Sequence, residues 1–385
     1  MKIGFLTPEY PHAKTGASGG IGTSIKNLAT GLLAAGCSVR VLVYGQEYDG
    51  FFEDNGITVQ QIKNVKIKGL SWFFTKKKLQ KIINQLYHNQ QIDLIESPDW
   101  TGITSFINTK CPIVIRLHGS DTYFCHLDNR PVKWINKYHE RKALQDADGY
   151  LSVSHYTATL TNKLFGLSKS FTIIHNGINC HDFKKVYNDE GSVPVILYFG
   201  TLIRKKGLLE LPLIFNKVIE KNPIAKLYLV GRDSGDVVSG NNSTWGMMQE
   251  LFSKNALPNV TYFGVVSHDE ITKFIEKATV CVFPSFAEAL PVSWLEAMAM
   301  QKTIVASNIG WGKEVIVNGE SGFLVHPKEH QYFAEAVITL LQNNNLRGQM
   351  GKNALKRTES IFDIKKIVQE NIWFYKKIIN DNYIS

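Results

Sequence analysis

The densest chemistry in the sequence lies between Phe283 and Met298, where Glu288 and Glu296 stand with seven residues between them. Pro291 suits the first turn of a helix, so amides from about Val292 onward would be free to meet an anion. Glu288 then falls in the loop before that helix. Glu296 falls about one and a half turns inside it, roughly 7–8 Å further along the axis. Two carboxylates so placed can grip opposite ends of one extended ligand. Glu296 is set among Trp294, Leu295, Ala297 and Met298, which argues against two unrelated surface acids.

Three further constellations sit where strand-like runs end. Gly200 follows Val195-Ile-Leu-Tyr-Phe199 and leads to Arg204-Lys205-Lys206-Gly207. Three cations beside a glycine and a helix start could clamp a leaving diphosphate, with a solvated basic turn as the plain alternative. His118-Gly119-Ser120-Asp121 follows Ile113-Val-Ile-Arg-Leu117, so its side chains belong to a strand's carboxyl end, where parallel α/β sheets build their sites. Gly16-Ala-Ser-Gly19-Gly20-Ile-Gly22 precedes a helix and would let backbone amides approach an anion, unless it is only a structural turn. As a nicotinamide fingerprint it is poor: the loop from Thr7 is long, and Tyr44-Gly45-Gln46 stands where an acidic ribose ligand should follow.

The elements that must hold these residues alternate strand-like and helix-like along almost the whole chain. Strands are expected near 2–6, 38–44, 57–62, 93–96, 113–117, 149–153 and 171–174, then near 194–199, 226–230, 260–263, 280–283, 303–306 and 322–325. Helices are expected at 20–35, 75–89, 133–146, 155–165, 207–220, 329–343 and 346–360, with a last one from Asp363 that needs an apolar groove. The pattern predicts an α/β protein of two doubly wound domains, joined at the polar stretch 184–192, with ligand between them at the strand ends. A length of 385 residues also favours two cores. Composition is ordinary for a globular chain: 44% hydrophobic and 20% charged, which excludes a disordered or collagen-like protein. Five scattered cysteines, with no metal-ligand spacing, read as reduced thiols. Asp146-Ala-Asp148 superficially suits a metal, but it joins a helix end to a strand, and no metal is expected there.

Taken in order, Gly19-Gly20, His118-Gly119, Asn176-Gly177, Gly200 with Lys206-Gly207, and the Glu288/Glu296 pair resemble the retaining glycosyltransferases of family 4. The resemblance spans essentially the full chain and is most specific over 280–325. It implies the GT-B fold, two Rossmann-like domains facing across a cleft: an acceptor-binding domain at 1–187, with a helix at about 363–385 packing back onto it, and a donor-binding domain at 188–362. It implies transfer from a nucleoside-diphosphate sugar, as co-substrate, to a glycan or lipid-linked acceptor in cell-surface polysaccharide synthesis, such as lipopolysaccharide or capsule. No cofactor or metal is implied. In that reading Glu296 holds the ribose and Glu288 the donor sugar, Arg204 and Lys206 neutralise the diphosphate, and His118 contacts the sugar. Gly19, Gly20, Asn176, Gly200, Gly231, Val266, Leu290, Pro291 and Val292 complete the donor site. Three departures stand out: Thr201 replaces an arginine, Pro291 a glycine, and Gln301-Lys302-Thr303 a Gly-Thr-Pro. A starch or glycogen synthase-like glucosyltransferase and a sugar-nucleotide epimerase are the alternatives.

Charge adds one more expectation. Of a net +9, residues 1–190 carry +6, and no acid lies between Asp54 and Asp93 while seven lysines do. Trp72, Phe73 and Phe74 run straight into Lys76, Lys77 and Lys78, a combination suited to an anionic membrane interface. The alternative is that the aromatics fill a core. No nucleic-acid motif accompanies the charge. A chain of the cytoplasm, peripheral on the inner membrane face, is therefore expected.

Overall fold

The computed structural model describes residues 1–16, 18–183 and 193–384. The expected junction at 184–192 lies outside them. By contacts the chain divides into two units, Met1–Gly177 with Ile364–Ser385, and Ile178–Asp363.

Among the described residues the first unit holds eight strands: β1 (Lys2–Thr7), β2 (Ser38–Gln46), β3 (Gly50–Asp54), β4 (Ile57–Lys63), β5 (Leu94–Pro98), β6 (Ile113–Leu117), β7 (Gly149–Ser152) and β8 (Thr172–Ile173). Their spatial order is β3-β4-β2-β1-β5-β6-β7-β8. All pairings are parallel except β3 with β4, a hairpin that strand periodicity alone did not suggest. Asn55 and Gly56 at its turn both have positive φ, 50° and 84°, as a tight two-residue hairpin turn requires. The chain winds one way from β1 and the other way from β5, which puts the switch point between these strands.

The second unit holds β9 (Val195–Phe199), β10 (Lys226–Val230), β11 (Val260–Tyr262), β12 (Val280–Phe283), β13 (Ile304–Ser307) and β14 (Phe323–Val325). The order is β11-β10-β9-β12-β13-β14, all parallel, and its switch point lies between β9 and β12. Every residue of β9 and β12 is buried, as expected of central strands covered on both faces by helices.

The final helix, Ile364–Ile384, lies against Gly20–Ala34 of the first unit. Gly31 allows that approach: a Cβ there would come within 2.6 Å of the Val368 side chain. Ile367, Phe374 and Tyr375 join the core formed with β1 and β2. In the first unit the helix Asp121–Leu127 was not anticipated. It starts on the Ser120 hydroxyl, which accepts the Tyr123 N–H at 3.1 Å. Among the described residues, no helix is long and apolar enough to cross a membrane.

Candidate active site

In the second unit the switch point brings two of the expected segments together. Gly200 leaves β9 with φ 137°, and Gly231 leaves neighbouring β10 with φ 138°. A Cβ on Gly231 would stand 2.0 Å from the Gly200 carbonyl oxygen, so the two strand ends meet backbone to backbone. Arg204–Lys206 form one turn of 3-10 helix closed by Gly207 at φ 71°. A Cβ on Gly207 would lie 1.8 Å from the Pro284 carbonyl oxygen. The Phe286 N–H donates to the Lys205 carbonyl at 2.8 Å, sewing the basic turn to the loop that carries Glu288.

The outcome is a compact charge pair. Lys206 Nζ lies 3.3 Å from Glu288 Oε1, both side chains being partly exposed. The Ser285 hydroxyl donates to the same carboxylate at 3.3 Å. A Cβ on Gly200 would sit 3.6 Å from Lys206 Nζ and 3.2 Å from Tyr198 Oη, so the glycine keeps open the space beside the cation. Burial, and secondarily the Glu288 charge, hold the Tyr198 hydroxyl protonated. The helix Val292–Ala299 begins after Pro291, which caps it rather than occupying its first turn. Its N-terminal amides still point back along the axis, where an anion is favoured. Leu290, Pro291 and Val292 are buried, and Glu296 is 6% exposed within the helix. Val266 is half-buried in the loop after β11.

Arg204 points elsewhere than expected. Its guanidinium forks onto Asp236 at 2.8 and 2.6 Å. That hydrogen bonding holds the Asp236 carboxyl well below its usual range. Lys206 therefore meets Glu288, while Arg204 braces the loop after β10. Asp236 carried no local signal, because only the fold brings position 236 to position 204.

In the first unit His118 and Asn176 border one small cavity with Ser24, Glu96, Arg116 and His175. The Ser24 hydroxyl donates to Asn176 Oδ1 at 2.7 Å. The His118 backbone N–H donates to Asp99 Oδ1 at 2.9 Å. Asp99 is fully enclosed, its other oxygen has no hydrogen-bond partner, and burial raises its pKa to about 8. Burial, then the Arg116 charge, lower the His118 pKa to about 3, so its imidazole is neutral. Arg116 is itself buried, donating to both Glu96 oxygens at 2.8 and 2.9 Å and to Asn371 of the last helix. Tyr375 Oη donates to Glu96 at 2.6 Å. Asp99 was not singled out in the sequence, although it follows β5 as His118 follows β6.

Gly19 caps the helix Gly20–Ala34. The amide of Gly22 there is already met by Glu9 Oε1 at 2.9 Å, so this helix start carries a resident carboxylate. Ala17 of the same loop lies outside the described residues. Asp146 pairs with Lys142 at 2.6 Å, and Asp148 accepts the Ile113 N–H at 2.7 Å. Both acids of the Asp-x-Asp sequence therefore have structural partners.

The basic stretch needs a correction. The helix there begins at Ser71, not near 75, and leaves Trp72, Phe73 and Phe74 exposed rather than in the core. Lys76 is not a surface cation: it is buried, donates to the Gly102 carbonyl at 3.1 Å and to Ser105 Oγ, and has its pKa lowered to about 8 by burial. Lys78 is paired with Asp49 at 2.6 Å.

Known proteins share this organisation. Residues 18–182 match the model of Glycosyltransferase Family 4, and residues 181–357 that of Glycosyl transferases group 1. An uncharacterised glycosyltransferase of Methanocaldococcus jannaschii is 26% identical, over 98% of each chain. A capsular polysaccharide biosynthesis glycosyltransferase of Staphylococcus aureus is 28% identical over 52% of this chain and 50% of its own. Among solved structures, a sucrose-phosphate synthase from Thermosynechococcus elongatus superposes with TM-score 0.80 at 20% identity, covering 99% of this chain and all of that one. Anabaena HepE, solved with UDP-glucose, gives 0.74 at 20% identity, covering 98% of this chain and all of its own. With two parallel-sheet units and matches that together run from residue 18 to residue 357, the chain belongs to the GT-B glycosyltransferases of family 4.

Proposed function

We propose that this chain is a retaining transferase that moves a sugar from a nucleoside-diphosphate sugar to a glycan or lipid-linked acceptor in cell-surface polysaccharide synthesis. The observation that carries it is the meeting of Gly200, Lys206 and Glu288 at the switch point of the second sheet. When the bond between the anomeric carbon and the diphosphate breaks, negative charge grows on the departing phosphate oxygen. Lys206, presented by a glycine-closed turn, is the cation for that oxygen, and the helix start after Pro291 adds its dipole. Preorganised charge of this kind is usually the largest single contribution to catalysis. The acceptor hydroxyl adds to the same face of the sugar, and its proton passes to the phosphate. Glu288 orients the donor sugar, and Glu296 holds the ribose hydroxyls. Arg204, already paired with Asp236, has a smaller part.

The protein's own cations do the work that a metal would otherwise do, so turnover should survive a chelator. HepE crystallised with UDP-glucose, which makes uridine the first base to test. Two kinds of relative bear on the acceptor. The Staphylococcus capsule enzyme supports a surface polysaccharide. A glycogen synthase of Mycobacterium tuberculosis, 21% identical over 97% of this chain, keeps an α-glucan acceptor as the second reading.

The test is a thermal-shift panel of UDP-, GDP-, ADP- and CMP-sugars, with NAD as control. A ligand at about 100 times its Kd adds roughly 2.7 kcal/mol, which moves the midpoint by several degrees. One nucleotide should stand out and lose its effect in Glu296→Ala. A response to NAD alone would sink the proposal. Conversion of the donor without any acceptor would point to an epimerase instead.

A further inference from the structure

We propose that the exposed faces of two first-unit helices, Ser71–His88 and Trp134–Asp146, form one docking surface for an anionic lipid bilayer. This reaches beyond the first helix because the second carries the larger apolar anchor. Trp134 is 76% exposed, and Tyr138 one turn on is also exposed. The two faces are continuous through His139, whose ring lies 4.8 Å from Trp72 and 5.6 Å from Tyr138. Phe106, exposed on the connection between β5 and β6, closes the gap at 6.0 Å from Tyr138.

Beneath the rings the helices are locked together. Buried Lys76 donates to the Gly102 carbonyl and Ser105 Oγ, and lies 3.3 Å from His139 Nδ1. The patch is thus fixed before anything binds, which lowers the ordering cost of association.

Its charge is one-sided. Lys77 and Lys81 repeat at four-residue spacing on the first helix, and Lys133, the N-cap of the second, is followed at the same spacing by Lys137 and Arg141, all five exposed. No acid occurs from residue 55 to 92. From 129 to 145 the one acid is Glu140, which is buried and accepts N–H groups of Thr101, Asp121 and Thr122. The flanking acids Asp49 and Asp146 are paired with Lys78 and Lys142. Uncompensated cations ringing exposed tryptophans match an anionic headgroup layer over an apolar interior.

Other occupants fit less well. A second copy of the chain would set like charges against each other. Single-stranded RNA stacks its bases on open ring faces, whereas Trp72, Phe73 and Phe74 stand edge to face at 84° and 83°.

The experiment is co-sedimentation of the full chain with vesicles of phosphatidylcholine alone or equimolar with phosphatidylglycerol, at low and high salt. The wild type should sediment with the anionic vesicles only, and be released by salt. Each surface cation is worth about fivefold in affinity, so combining Lys133→Glu, Lys137→Glu and Arg141→Glu should weaken binding by more than about a hundredfold. Trp134→Ala should cost about tenfold. Unchanged melting curves certify that the variants fold. No wild-type binding to anionic vesicles, or full binding by the triple variant, overturns the proposal. Tighter binding to poly(U) than to vesicles, or dimerisation that the triple variant abolishes, overturns it in favour of RNA or of self-association.

Discussion

The two units build their sites in opposite ways. In the second, backbone sets the geometry: Gly200, Gly207 and Gly231 bring three chain segments into direct contact, and the charges rest on top, partly exposed and paired at 3.3 Å. In the first, side chains set it. His118 stands beside a buried network in which Glu96 and Asp99 come from β5 and its end, Arg116 from β6, and Asn371 and Tyr375 from the last helix. A partly exposed pair can exchange partners with an incoming anion at less cost. A buried network cannot, because breaking it leaves a desolvated charge, and so it serves as a frame. Substitutions should accordingly be read as stability in the first unit and as turnover in the second, wherever backbone contacts stay intact.

The largest expected effect sits where that contrast breaks down. Gly231→Ala pushes a Cβ into the Gly200 carbonyl at a φ that disfavours side chains. It should cost about 4 kcal/mol or more in urea unfolding. Arg116→Met leaves Glu96 buried without its cation and should cost about 3–5 kcal/mol. If it is neutral, the network is not the frame described. Lys206→Ala should lower kcat by roughly 10²–10³ with the unfolding midpoint unchanged. Near-full turnover would remove Lys206 from the site. Tyr375→Phe, which removes one hydroxyl from Glu96, should cost only about 1 kcal/mol.

The pH dependence sharpens the same comparison. His118, lowered to about 3, is more protonated when unfolded, so its contribution to stability is lost as pH falls from about 6.5. Asp99, raised to about 8, is more protonated when folded, so its contribution is lost as pH rises from about 4 towards 8. The two slopes oppose each other below about pH 6.5. Just above it the Asp99 slope dominates, at about 1.4 kcal/mol per pH unit, until Lys76, lowered to about 8 by burial, begins to oppose it. Asp99→Asn, which can still accept the His118 N–H, should flatten the fall between pH 6.5 and 8. An unchanged profile would show that Asp99 is ionised in the folded protein.

Much of the second unit's site was legible because it is local. Glu288, Pro291 and Glu296 share one strand–loop–helix passage, and Gly200 through Gly207 share another, so spacing alone aligned them. The strands were legible from continuous apolar runs, since parallel strands are buried on both faces. The β3–β4 hairpin was passed over although Asn55-Gly56 signals it. Lys76 was misread because a lysine among lysines looks solvated. Only the neighbouring connection at Gly102 and Ser105, some 26 to 29 residues away, buries it.

By itself, then, the sequence determined the alternation of elements, the glycine turns at strand ends and the carboxylate spacing across one loop and the helix that follows it. Each of these is a consequence of backbone geometry over a few residues. Tertiary structure decided the partners: Arg204 with Asp236, Asp99 with His118, and Arg116 with Asn371 across 255 positions. The reason is physical. A charge takes whichever partner offsets its desolvation, and which group stands near enough depends on how the sheets and the last helix pack.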